Sequence, residues 1–122
     1  MLDFRELADG NIRITLLKNG RRFVLTDKLD NLKIKRPIAW DGKWRLVIFD
    51  IPHDQRRARD AFREKLTDLG FHQLQKSVFI IPFPCEKELD FIMTYWNVQD
   101  HVLLLYVSSF EGEAKLKHHF GL

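Results

Sequence analysis

One cysteine, Cys85, stands in the whole chain, so no internal disulfide can form. No Cys or His partners sit at ligand spacing around it, which leaves out a structural zinc site as well. Without either staple, the hydrophobic core alone must hold the fold. Long apolar runs are also missing. The longest are Leu46 to Phe49, Val78 to Phe83 and Val102 to Val107, far short of the roughly 18 to 20 residues that span a bilayer. No transmembrane helix is expected, and no membrane partner. The opening Met1-Leu2-Asp3-Phe4-Arg5-Glu6 carries acids where a secretory signal has an apolar stretch after a basic start, so a cytoplasmic location is expected. Nor is there a Gly-rich phosphate loop, a Ser/His/Asp order or a paired-cysteine motif. His53 and His72 are isolated and His118-His119 lies in a tail without a partner pattern, so no histidine is assigned a metal or base role.

What is present is a globular composition. The 122 residues are 45% hydrophobic and 30% charged, with ten Phe and three Trp, enough for one core with an appendage. The net charge is only +3, but it is unevenly spread. Between Asn11 and Pro37 eight cations (Arg13, Lys18, Arg21, Arg22, Lys28, Lys33, Lys35, Arg36) face two anions, Asp27 and Asp30, so the remainder of the chain is mildly acidic. A basic N-terminal segment of this kind suits a polyanion such as DNA or RNA, and equally a plain solvated face.

Apolar alternation in Leu2, Phe4 and in Ile12, Ile14, Leu16, around the turn Ala8-Asp9-Gly10, predicts a small hairpin. A helix from about Arg21 to Leu32 follows, then a basic linker from Lys33 to Pro37. Residues 1–37 and 38–122 are therefore expected as separate units. Trp44 to Phe49 reads as a buried strand between Asp41-Gly42 and Ile51-Pro52. Asp54 to Leu69 has Ala58, Ala61, Phe62, Leu66 and Leu69 at helical spacing, with Gly70 as the stop. Phe71 to Gln75 and Val78 to Phe83 form an antiparallel pair through Lys76 and Ser77. A second helix opens at Pro84-Cys85 and ends at Asn97, and Val102 to Val107 is the last strand. A short helical turn is expected around Lys115 to His119. The order βαββαβ predicts an α+β, ferredoxin-like sandwich: a four-stranded antiparallel sheet with two helices on one face. The other face needs a cover, either a second copy packed sheet to sheet, with the tail after Ser108 adding a strand to it, or the N-terminal segment.

Asp50 ends the first core strand, where ligands and catalytic groups tend to lie in open sheets. One carboxylate is a poor magnesium or manganese site, but two across a twofold axis could hold one ion against a phosphodiester. Capping of the following turn is the alternative role for Asp50. Arg56 and Arg57, with Arg59 and Arg63, decorate the next helix near the same strand end and match phosphate geometry. Asp54, Asp60 and Glu64 interleave with them, which suits a salt-bridged surface helix equally well. Ser77, within Gln75-Lys76-Ser77, can contact a backbone phosphate or simply close a hairpin.

The stretch Trp40-Asp41-Gly42-Lys43-Trp44-Arg45-Leu46-Val47-Ile48-Phe49-Asp50-Ile51-Pro52, with Arg56-Arg57-Ala58-Arg59-Asp60, Leu69-Gly70-Phe71 and Leu74-Gln75-Lys76-Ser77-Val78-Phe79, resembles the central domain of PaaX-type transcriptional regulators. It is equally similar to the CRISPR-associated endonucleases of the Cas2 family. The resemblance covers about residues 38 to 122 and implies a ferredoxin-like fold that dimerises through its sheets. It further implies Asp50 as the catalytic and metal-binding candidate, with Ser77 near the same site. Residues 1 to 37 resemble the wing hairpin and helix of the winged-helix module that precedes this domain in the PaaX group, and the recognition helix would lie before Met1. Two roles follow as expectations. The first is a nucleic-acid-binding Cas2-like homodimer in antiviral defence, either a Mg2+- or Mn2+-dependent endonuclease or an adaptor working with a Cas1 integrase. The second is a non-catalytic PaaX-type regulator domain that supplies dimerisation and DNA binding. Under either, Arg13, Lys18, Arg21, Arg22, Lys33, Lys35, Arg36, Arg56, Arg57 and Ser77 are the expected nucleic-acid contacts.

Overall fold

The structure, a computed structural model, describes residues 26–122. The expected hairpin, the start of the first helix, and Arg13, Lys18, Arg21 and Arg22 lie outside the described residues. The chain divides into two compact units, Met1–Leu32 and Lys33–Leu122. Of the first, residues 26–30 are helical and close in a turn, with the Asn31 N–H bonded to the Asp27 carbonyl at 3.2 Å. Among the described residues, no helix is long and apolar enough to cross a membrane.

The second unit is a mixed α+β sandwich. Strand β1 (Trp44–Phe49) leads through a short 3-10 turn (His53–Gln55) into α1 (Arg56–Asp68). A hairpin of β2 (His72–Gln75) and β3 (Val78–Ile81) follows, then α2 (Glu86–Trp96), β4 (Val102–Val107) and α3 (Glu113–Phe120). The sheet is antiparallel throughout, in the order β2-β3-β1-β4. Up to β4 this is the βαββαβ order that the apolar pattern predicts.

Alternation along β1 assigns its two faces. Val47 and Phe49 are buried, and Phe79, opposite Val47 in the register, stacks on Phe49 with ring centres 6.0 Å apart. Phe62 of α1 meets Phe49 edge-on at 5.1 Å, so this face carries the helix layer and the main core. Leu66 of α1 and Leu89 and Ile92 of α2 are buried as well. Each helix ends in the same pair of bonds, which satisfies two carbonyls of its last turn. In α1 they run from Gly70 to Thr67 and from Phe71 to Leu66, both at 3.0 Å. The residue at the turn must be left-handed: Gly70 has φ 103° in α1, and Asn97 has φ 56° in α2.

Among the described residues the opposite face is only partly covered, and the N-terminal segment expected as one possible cover lies largely outside them. Trp44 is buried there beneath the tail, edge-on to Trp40 and Phe110 and 6.0 Å from Phe120. Its indole N–H donates to the Glu113 carboxylate at 2.9 Å. Instead of supplying an added strand, the residues after Ser108 bend back and form α3, longer than the turn expected there, with Leu116 and Phe120 buried. Toward the other end of the sheet the same face is open. Leu46, Ile48 and Val78 are half-buried, Leu105 is 38% exposed and Leu103 55%.

Candidate functional site

The far end of β1 from Trp44 gathers three connections. The Asp50 N–H donates to the His101 carbonyl at 2.8 Å, which ties the strand end to the start of β4. On the other side the Phe49 N–H donates to the Ser77 carbonyl at 3.1 Å, placing the β2–β3 turn next to Asp50. Beyond Asp50 the chain turns at Pro52 into α1, whose first residues, Arg56 and Arg57, are exposed. Asp50, Ser77 and this pair of arginines therefore share one end of the sheet, as the sequence reading expects.

Asp50 is exposed, and its side chain makes no hydrogen bond among the described residues. Neither the 3-10 turn nor α1 has a side-chain cap, so the capping role is corrected: the strand end is held by backbone bonds alone. Strand alternation continues the row Leu46, Ile48 into Asp50, which puts this carboxylate at the border of the open apolar face. No group of three or more His, Cys, Asp or Glu side chains that could hold a metal occurs among the described residues. Asp50 therefore has no such group around it among the described residues, and a fitting Mg2+ or Mn2+ site needs a second copy or substrate phosphate to complete it.

Arg63, which the sequence sets near this strand end among the phosphate-matching arginines, is engaged with the protein itself. Its Nε–H donates to the Lys76 carbonyl at 2.9 Å, its Nη1 pairs with Asp60 at 3.1 Å, and the guanidinium lies 5.8 Å from the Phe49 ring centre. It pins the β2–β3 turn to the helix layer and so positions Ser77. Asp60 accepts from Arg59 and Arg63, and those bonds hold its carboxyl below the usual range.

The expected basic contacts in the second unit divide. Lys33 and Lys35 are exposed. Arg36 is engaged: its Nη2 donates to the Gly121 carbonyl at 3.3 Å and its guanidinium lies 5.2 Å from the Phe83 ring centre. It fastens the start of this unit to the end of α3, which leaves it less free for phosphate than its neighbours.

A second polar cluster, at the Trp44 end on the helix face, is structural. Arg45 is 4% exposed and forms a two-pronged bridge to Asp41, at 3.0 and 2.6 Å, while Nη1 also donates to the carbonyls of Pro82 at 2.8 Å and Lys43 at 2.9 Å. Its Nε lacks a partner. The bridge lowers the Asp41 pKa and raises that of Arg45. Nearby, Tyr106 donates its hydroxyl to Glu86, a bond that pushes the phenol up to about 12 and lowers the Glu86 carboxyl. Burial pushes the Cys85 thiol up to about 12, so it is no nucleophile at neutral pH.

Comparison with known proteins finds no matching curated protein and no matching solved structure. One family model does match, described as the PaaX protein central Cas2-like domain, over residues 37–118. That span takes in Asp50 with its strand, the Arg63-pinned hairpin, both helices of the main layer and nearly all of α3. The chain belongs to the family of the PaaX protein central Cas2-like domain.

Proposed function

We propose that this chain is the dimerising, nucleic-acid-associated domain of a PaaX-type transcriptional regulator, ferredoxin-like in form and paired sheet to sheet. The observation that carries the reading is the open row on the sheet, Leu46, Ile48, Val78, Leu103 and Leu105, left between α3 and the Asp50 end. An apolar strip of this kind, flanked by polar groups, marks an interaction surface, and a second copy related by a twofold axis covers both strips at once. Lys33, Lys35, Arg56 and Arg57 are exposed cations suited to backbone phosphate, and Ser77 is tied by its carbonyl to Phe49 beside Asp50. The family match tips the balance from a CRISPR adaptor working with Cas1 toward the regulator.

Sedimentation of the full chain tests the dimer. The expected result is a dimer at micromolar concentration that Ile48→Lys with Leu103→Lys converts into a folded monomer. A monomeric wild type overturns the reading.

A metal-dependent endonuclease is the second reading, favoured by one observation: an exposed carboxylate at the strand end without hydrogen-bond partners among the described residues. Two copies of Asp50 would hold the ion, which would polarise a phosphoryl oxygen and acidify a bound water. Asp50→Asn removes the charge and little else. On this reading the wild type cleaves RNA or DNA with Mg2+ or Mn2+, and Asp50→Asn binds without cleaving. Absence of cleavage by wild type on any of these substrates leaves the regulator reading standing.

A further inference from the structure

His72 of β2 and His119 of α3 stand with ring centres 4.8 Å apart and planes tilted by 60°. They stand 47 positions apart in the sequence, yet the fold brings the two imidazoles into contact at the edge where α3 lies on the sheet. Neither side chain makes a hydrogen bond among the described residues, so the contact is not a polar latch between neutral rings. With metal–nitrogen bonds of about 2.0–2.1 Å and about 1.1 Å from ring nitrogen to ring centre, two imidazoles on one ion have centres about 4.5–5.2 Å apart. The observed separation falls inside that range. A 180° turn about χ2 leaves the ring axis in place while exchanging which edge, each with one nitrogen, faces a given side.

We propose that His72 and His119 form a two-imidazole clamp for a divalent transition-metal ion of the Zn2+, Ni2+ or Cu2+ type, which ties α3 to β2 across the partly open sheet face. Imidazole ligands select these ions over Mg2+ and Mn2+, which prefer oxygen, so the site is independent of Asp50 and of the proposed function. Water completes the coordination shell, as expected for an exchangeable site rather than a closed structural one.

The test uses the untagged full chain with ZnCl2 or NiCl2 alone. Thermal unfolding with excess Zn2+ is expected to rise by several degrees in wild type and in His118→Ala, and not in His72→Gln or His119→Gln. Substoichiometric Ni2+ should broaden the imidazole NMR signals of His72 and His119 together. A wild type whose unfolding temperature does not respond to millimolar Zn2+ overturns the proposal. So does a response that survives both glutamine variants, or one lost in His118→Ala, since the ion would then be held elsewhere.

Discussion

Arg45 is a charged residue in the middle of an apolar strand, and its environment explains why it is tolerated. Two guanidinium nitrogens reach a carboxylate and two carbonyls, so directed bonds offset much of the desolvation cost of the charge, while the buried Nε is left without a partner among the described residues. Truncation to Ala strands the buried Pro82 carbonyl and should cost about 2–3 kcal/mol in urea unfolding. Asp41 supplies the pH dependence. Its folded pKa lies below the ordinary 3.8, so its contribution is fully present above that value and is lost as pH falls through the lowered one. Wild type should therefore lose its stability margin over Asp41→Asn as pH falls below 3.8 and through the lowered folded value, read as converging unfolding midpoints. Arg45 was not legible in the sequence because its partner sits four residues earlier, outside the strand, where nothing distinguishes it from a turn aspartate. Arg63 was placed near the strand end by the sequence, but its pinning contact was not legible for a similar reason: its acceptor is a backbone carbonyl of a distant turn, and main-chain acceptors leave no trace in residue identity.

The elements themselves were largely legible, because burial on a sheet or helix imposes a period that side-chain identity must follow. β1, α1, α2 and β4 fall where the apolar spacing puts them. β2 shows the limit. Its pairing shifts between Gln73 and Gln75, so Leu74 is bulged and 40% exposed, a detail that simple alternation conceals. α3 shows another limit: with only Leu116 and Phe120 buried, its pattern is too short to separate helix from strand. Its docking nevertheless matters. Phe120→Ala should cost about 3–5 kcal/mol if α3 packs as described, measured by thermal or urea unfolding. The helix stops yield a sharper comparison. A Cβ on Gly70 would meet nothing within 4 Å, so Gly70→Ala pays backbone strain alone, about 1–2 kcal/mol, whereas Asn97→Gly should be neutral or slightly stabilising.

For the molecule as a whole, the need for a cover on the second sheet face was legible from alternation, and its partial answer was not. Among the described residues the tail covers the Trp44 end and leaves the end nearer Asp50 open, a division that depends on where one short helix lands. Charge behaves in the same way. The basic stretch is visible in composition, but which cations are free is set by contacts such as that of Arg36 with Gly121 and Phe83. If Arg56 and Arg57 each neutralise a phosphate, Arg56→Gln with Arg57→Gln should reduce the slope of log affinity against log salt for duplex DNA by about 2. An unchanged slope would remove both residues from the interface.

Cys85 precedes α2 with no exposed surface, and its thiol is pushed up to about 12. Because it is the chain's only sulfhydryl, it is a built-in clock for local opening. Alkylation in the native state can proceed only through excursions that lift the start of α2 from the sheet. Its rate should thus be slow, single-phased and faster in Arg45→Ala, which loosens that same corner. A cysteine placed on the surface would, by contrast, be modified at once, so one reagent could label a chosen site selectively while the native thiol reports the breathing of the core.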